Sequence, residues 1–350
     1  MKRCLELAEK GKGHVAPNPM VGALLEYNGR IIGEGWHKQY GEAHAEVSCI
    51  ESVKPEDEAF IPNSTMYVSL EPCAHHGKTP PCANRIVGEG IKEVIVCNDD
   101  PFAKVDGKGM QILEGNGVMA VSGIMAEEGK WLNRRFFCFH QNKRPYIILK
   151  WAQSVNGIFA PYGNKRYQIT NASSSKLVHK WRTEEAAIMV GTNTALADNP
   201  QLTARLWEGK QPLRIVIDRS LILPTNLHLF NGEVSTWVVN DKKNETGNNL
   251  SYVQLDFDDS MLDNLMKKLH EANVQSVIIE GGAKLLNSII AKGLWDEARV
   301  FTAAASIEHG ISAPALTNAN KAFETAIESD LLELYVNNNS LYPYVQGMEL

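Results

Sequence analysis

The chain has 350 residues, 44% of them hydrophobic and 22% charged, with a formal net charge of −6. That length exceeds one ordinary core and predicts two domains. The acidic balance excludes broad nucleic-acid binding through a basic surface, and no apolar run of about eighteen residues offers a membrane span. A local basic pocket for a phosphorylated small molecule stays open.

The N-terminus, MKRCLELAEKGKG, has no apolar core and no small-residue cleavage site. It reads as a helix over 3–10, not as a signal peptide. All six cysteines (Cys4, Cys49, Cys73, Cys82, Cys97, Cys138) fall in the first 138 residues. In a chain this long without an export signal they predict a reducing, cytoplasmic setting. Cys4, Cys49, Cys97 and Cys138 sit among apolar neighbours and read as small core residues.

Residues 21–26 and 30–35 form a predicted hairpin around Asn28-Gly29, a strong turn pair. A helix follows over 44–53, a strand over 65–70, a helix over 83–90 ended by glycine, and a strand over 93–97. A helix near 110–114 and a strand at 117–121 complete a three-layer α/β/α pattern. The polar segment 141–145 ends in Pro145 and marks the boundary between a first domain, 1–143, and a second, 144–350. The second part restarts with a buried-type strand at 146–152. Others follow at 186–190, 213–218, 235–239 and 276–280, with helices over 173–184 and 261–272. This is a second α/β domain.

Two stretches carry the chemistry of the first half. Glu71-Pro72-Cys73-Ala74-His75-His76-Gly77-Lys78-Thr79-Pro80-Pro81-Cys82 places two cysteines between a strand and a helix. It is open to three readings: a metal site, a disulfide loop, or a rigid turn. His44-Ala45-Glu46 supplies what a metal site lacks. A catalytic zinc takes three protein ligands and leaves one open position, and His44, Cys73 and Cys82 provide three. Glu46, two residues on, is the residue type that moves protons without ligating. Zinc deaminases carry H-x-E…P-C-x-x-C with the glutamate as general acid/base. Here eight residues, not two, separate the cysteines. His75 and His76 are rival ligands that would close the zinc and make it structural.

The twelve-residue loop, the H-A-E upstream and Pro17-Asn18-Pro19-Met20-Val21-Gly22 together resemble the bifunctional riboflavin-biosynthesis deaminase–reductases. The resemblance covers essentially the whole chain. It implies a cytidine-deaminase-like three-layer domain followed by a dihydrofolate-reductase-like α/β domain. It implies zinc at His44, Cys73 and Cys82, Glu46 as proton carrier, and a phosphoribosylamino diaminopyrimidinone as substrate. By position, Asn18, His37, Ala74, Lys78 and Asp100 are the implied substrate contacts. The family often has Asn after Asp-Pro; here Phe102 follows Asp100-Pro101.

The second half has no G-x-G-x-x-G opening a helix after a strand, so a Rossmann dinucleotide site is not expected. Gly281-Gly282-Ala283 instead joins a strand to a helix, where backbone N–H groups can meet a phosphate. Gly191-Thr-Asn-Thr-Ala-Leu-Ala-Asp-Asn-Pro200 follows another strand. The resemblance implies NADPH as hydride donor, held by Ala152, Gln168, Thr194, Asp198 and the run Gly282, Ala283, Lys284, Leu285, Leu286, Asn287 and Ser288. It implies substrate contacts at Arg166, Arg182, Leu202, Arg205 and Glu280, with Arg182 and Arg205 suited to a ribose phosphate. Departures lie at Gln168, where an aromatic is usual, at Ser154-Val155-Asn156-Gly157, and at Ala303-Ala304-Ala305, where proline and lysine are usual. These keep open a reading in which the second domain only stabilises an oligomer. The residues also admit a nucleoside or tRNA-base deaminase and a structural-zinc scaffold. The family tendency predicts self-association.

Overall fold

The computed structural model describes residues 1–74, 80–102, 105–163 and 167–348. The chain divides into two compact units. The first takes in Met1–Asn142 and the tail from Tyr342 onward; the second is Lys143–Leu341. The sequence reading groups the tail with the second domain, whereas its contacts lie in the first. The Trp131 indole donates to Met348 O at 3.3 Å and packs edge-on against Tyr344, and the Tyr342 hydroxyl bonds Gln141 and Asn142.

In the first unit, helix α1 is Lys2–Glu9, strand β1 Gly22–Tyr27, β2 Arg30–Trp36, α2 Ala45–Glu51 and β3 Thr65–Val68. Then come α3 Cys82–Gly88, β4 Glu93–Val96, α4 Lys108–Gly115, β5 Met119–Ser122, α5 Ala126–Leu132 and α6 Arg134–Asn142. The sheet order is β2-β1-β3-β4-β5. The β1–β2 and β1–β3 pairs are antiparallel, β3–β4 and β4–β5 parallel. Two glycines bring helices close on opposite faces. A Cβ at Gly22 would lie 2.1 Å from Cys4 O of α1, and one at Gly35 would lie 2.2 Å from Cys49 N of α2. Gly35 pairs with Ala23, the neighbour of Gly22, so the two glycines face opposite sides of the pleat. The core joins Leu25, Ile50, Met66, Val68, Ile86, Val94 and Leu113. Full burial of each such side chain contributes about 1.5–3 kcal/mol.

In the second unit, β6 is Tyr146–Ser154, β7 Ile158–Pro161, α7 Ala172–Glu184, β8 Ala187–Gly191, α8 Thr192–Asp198 and β9 Leu213–Ile217. Then come β10 Thr236–Asn240, β11 Glu245–Thr246, β12 Leu250–Gln254, α9 Met261–Glu271, β13 Ser276–Gly281 and α10 Ala283–Ala291. Strands β14 Glu297–Ala303, β15 Gly310–Ser312, β16 Ala319–Ile327 and β17 Asp330–Asn337 complete it. The large sheet runs β11-β12-β10-β9-β8-β13-β6-β14-β17-β16. Its centre is parallel, so strands β8, β13 and β6 end side by side. In open parallel sheets ligands gather beyond the carboxyl ends of the strands. Asn171 caps α7 by accepting from Ser174 N at 2.8 Å.

Candidate active sites of the two units

In the first unit, His44 is the N-cap of α2 and Cys82 is the first residue of α3. Cys73 lies in the approach from β3, and its sulfur accepts from Cys82 N at 3.3 Å. The His44 Nδ1 stands 3.6 Å from Cys73 Sγ and 3.3 Å from Cys82 Sγ. All three ligand atoms lie within 4.8 Å of one another, the one such cluster among the described residues. Zinc bonds of about 2.0–2.3 Å in tetrahedral geometry separate N and S ligands by about 3.6 Å. The residues therefore fit zinc. The Cys82 hydrogen bond, and after it the His44 imidazole, lower the Cys73 thiol against the opposing effect of burial, and the same Cys73–Cys82 contact raises the Cys82 thiol, so Cys73 is the sulfur of the pair that carries the charge. A metal ligand needs this thiolate character.

Glu46, in the first turn of α2, is buried. Burial pushes its carboxyl up to about 7, with the Cys73 charge adding to the rise. His37 is buried too, and both its nitrogens are engaged. Nδ1 faces Ala43 O at 3.0 Å, so it carries the hydrogen, and Nε2 accepts from Asn18 Nδ2 at 3.1 Å. Burial lowers the His37 pKa. Both ring nitrogens of His37 are thus occupied, and Nε2 holds the Asn18 amide. Asn133 fixes the segment that carries Asn18: it accepts from Met20 N and donates to Met20 O, both at 2.8 Å. Asp100 is buried in the segment that follows β4, and burial raises its carboxyl to about 7. Ala74 is half-buried beside Cys73. Lys78, His75 and His76 lie outside the described residues.

In the second unit the implied cofactor positions converge. Ala152 lies on β6, Thr194 and Asp198 on α8 after β8, and Gly282 to Ser288 on the turn and helix after β13. Gly281 has φ +135°, and a Cβ on Gly282 would come within 2.9 Å of Thr194 Oγ1. The turn is thus open where a side chain would block it, beside the first-turn amides of α10 that a helix leaves without internal acceptors. A dinucleotide phosphate fits this cradle. The Leu286 side chain is buried in the core, and the Ser288 hydroxyl donates to Lys284 O at 2.9 Å. Gln168 Nε2 donates to Thr170 O at 3.0 Å and to Ser175 Oγ at 3.1 Å. Arg166 lies outside the described residues.

Beside the cradle stands a charged cluster. Arg182 of α7 grips Glu280 of β13 with Nε at 2.9 Å and Nη2 at 2.7 Å, and its Nη1 donates to Thr203 O at 3.0 Å. Burial opposes the charge on Glu280, but Arg182 and Lys150 outweigh it and hold the carboxyl down to about 2. Burial, then Arg182 and Arg205, push His179 down to about 4, leaving it neutral at pH 7. Leu202 is buried at φ +54°, a strained conformation for a branched residue. Its flanks are held by Arg182 on Thr203 and by buried Arg214, whose Nη1 donates to Gln201 O at 3.3 Å. Lys150 and His179 are members of this cluster that sequence reasoning missed. Lys150 lies within a plain apolar strand and His179 in mid-helix, and neither has a motif around it.

Comparison with known proteins assigns each unit to a known family of domains. The family model described as the cytidine and deoxycytidylate deaminase zinc-binding region matches residues 1–98, and the one described as the RibD C-terminal domain matches 145–307. The riboflavin biosynthesis protein RibD of Aquifex aeolicus (strain VF5) is 38% identical over 317 residues, spanning 89% of this chain and 88% of that protein. The chain belongs to the RibD family. The RibD of Escherichia coli (strain K12) is 32% identical over 321 residues, 87% of this chain and 86% of that one. Among solved structures, a diaminohydroxyphosphoribosylaminopyrimidine deaminase/5-amino-6-(5-phosphoribosylamino)uracil reductase from Thermotoga maritima superposes with TM-score 0.87 at 32% identity, covering 96% of this chain and 97% of that one. Acinetobacter baumannii RibD superposes with TM-score 0.85 at 29% identity over the same shares. As a RibD, this chain is a bifunctional enzyme of riboflavin biosynthesis, a zinc-dependent deaminase and an NADPH-dependent reductase. No helix among the described residues is long and apolar enough to cross a membrane.

Proposed function

We propose that the first unit hydrolytically deaminates 2,5-diamino-6-(5-phosphoribosylamino)pyrimidin-4-one and that the second reduces the ribosyl group of the product to ribityl. The observation that carries the first step is the grouping of His44 Nδ1, Cys73 Sγ and Cys82 Sγ within 4.8 Å, with buried Glu46 two residues from His44. Zinc held by these three supplies a Lewis acid that brings a water's pKa to near 7. Glu46 is placed to take a proton from the attacking water and pass it to the ring nitrogen, and then to carry the remaining proton of that oxygen to the amino group, so that the C–N bond breaks, ammonia leaves and the carbonyl forms. Asn18, oriented by His37, and Asp100, Ala74 and Lys78 contact the substrate. Lys78 serves its phosphate as a point charge.

In the second unit Gly282 to Ser288, with Ala152, Gln168, Thr194 and Asp198, hold NADPH, which supplies hydride for C1′ of the opened sugar. Arg205, Arg166, Leu202 and the Arg182–Glu280 pair hold the substrate. Arg182 already spends Nε, Nη1 and Nη2 on Glu280 and Thr203. In this scheme it also fixes Glu280 and the Leu202 segment, while Arg205 takes the ribose phosphate. Lys150 adds positive charge beside Glu280. The cytoplasm is the proposed compartment, in keeping with cysteines that are all free thiols, and self-association is proposed on the resemblance alone.

Glu46→Gln tests the first step. Ammonia release from the diaminopyrimidinone phosphate falls by about 10²–10⁴-fold, while NADPH oxidation with pre-deaminated substrate is unchanged. Undiminished ammonia release would end the role given to Glu46. Failure to oxidise NADPH after deamination would end the second step.

A further inference from the structure

Glu71 is almost fully buried between β3 and the metal-ligating cysteine. Among the described residues no lysine, arginine or histidine pairs with it. Its carboxylate instead accepts from four backbone N–H groups. Oε2 receives Asp100 N and Gly107 N, both at 3.1 Å. Oε1 receives Gly109 N at 2.8 Å and Met110 N at 3.3 Å. Three of these donors belong to the start of α4, whose N-cap is Gly107, with no side chain of its own to cap it. A helix start is normally capped by a nearby Ser, Thr, Asp or Asn. Here the cap comes from 36 residues upstream. The partial positive charge of the helix start suits the carboxylate.

The same short stretch of chain is fixed from two further sides. Glu71 N donates to Asn98 O at 2.9 Å. The Pro72 carbonyl presses on α4 so closely that a Cβ on Gly109 would lie 2.0 Å from it. Glu71, Pro72 and Cys73 are consecutive. One side chain therefore ties a metal ligand two residues away to the backbone of Asp100, and ties both to the first turn of α4. A purely local cap would stabilise α4 without reference to either group.

We propose that Glu71 is a positioning residue of the deaminase site, setting the distance between the Cys73 loop and Asp100. This rests on the reading of Asp100 as a substrate contact. The test uses the full-length, zinc-loaded enzyme and compares Glu71→Gln, Asp100→Asn and the double variant in ammonia release. Gln keeps one acceptor oxygen but turns an NH2 group toward two N–H donors. The expected result is about one zinc per chain retained, with kcat/KM for deamination lowered about 10–100-fold, mainly through KM. The double variant should be no worse than Asp100→Asn alone, because the two changes lose the same placement. NADPH oxidation with pre-deaminated substrate should be unchanged.

An unimpaired Asp100→Asn overturns the reading of Asp100 and the proposal with it. An impaired Asp100→Asn beside an unimpaired Glu71→Gln overturns the proposal alone, as do fully additive losses. If Glu71→Gln loses its zinc, Glu71→Asp, with both oxygens set back by one methylene, takes its place. Full zinc with a raised KM then supports the proposal, and full zinc with an unchanged KM overturns it. Zinc loss in both variants also overturns it, since Glu71 would then hold the fold and not the pocket.

Discussion

The two active sites of this chain are built on opposite principles. The deaminase site is compact. Three soft ligand atoms lie within 4.8 Å, two of them fixed at helix starts, and buried Glu46 stands two residues from His44. The proposed reductase site is spread over β6, α7, the segment after α8 and β13. It works by balancing charge: the carboxylate of Glu280 is gripped by Arg182 and faced by Lys150, with Arg205 and neutral His179 nearby. A metal concentrates demands on geometry into a few residues of fixed type. An anionic substrate and a dinucleotide spread theirs over many residues of common type.

That difference can be broken experimentally at graded cost. The largest effect is expected from stripping zinc with a chelator. Ammonia release should vanish and return on adding Zn2+, while NADPH oxidation with deaminated substrate persists; loss of both activities would refute the independence of the sites. Next comes Glu280→Gln. Removing one partner of a buried ion pair costs about 3–5 kcal/mol, so the melting of the second unit in calorimetry of the full chain should shift down while zinc content is unaffected. An unshifted transition would mean that Arg182 finds another partner at no cost.

A smaller effect should follow Gly282→Val, whose side chain meets Thr194. KM for NADPH should rise on the order of tenfold, equivalent to about 1.4 kcal/mol, with deamination untouched; an unchanged KM would move the phosphate cradle elsewhere. The smallest effect is one of pH. The folded state holds His179 down at about 4 from an ordinary 6.5. Between these values the unfolded chain binds the extra proton, so stability falls as pH drops from about 6.5 to about 4. Glu280, held at about 2 from an ordinary 4.5, adds a contribution that is complete above about 4.5 and is lost as pH falls toward 2. His179→Gln should flatten only the upper limb of Tm against pH. Parallel curves for the two proteins would count against the buried neutral imidazole.

The same contrast explains what the sequence discloses. The grouping of His44, Cys73 and Cys82 is legible because a metal restricts residue type and helix starts restrict position. The hairpin at Asn28-Gly29 is legible because few residues tolerate its backbone. Gly281-Gly282 is visible as a strand-to-helix turn. Lys150, His179 and Glu71 are not legible, because only the tertiary fold assembles the partners of each. Glu71 shows this best. It stands at the head of the twelve-residue motif, yet its four donors come from residues 100–110. The β16–β17 hairpin escapes sequence reading for another reason: β16 is largely exposed, and its polar residues give no buried face to detect.

The tail from Tyr342 has a consequence for synthesis. Trp131, in the first unit, rests on Tyr344 and on Met348 O, and these are translated only after the whole second unit. At about 5–20 residues per second, the roughly 200 intervening residues take about 10–40 s to make. For that interval the nascent deaminase carries its indole without the strand of chain that finally covers it, and it is finished only when the ribosome has already completed its neighbour.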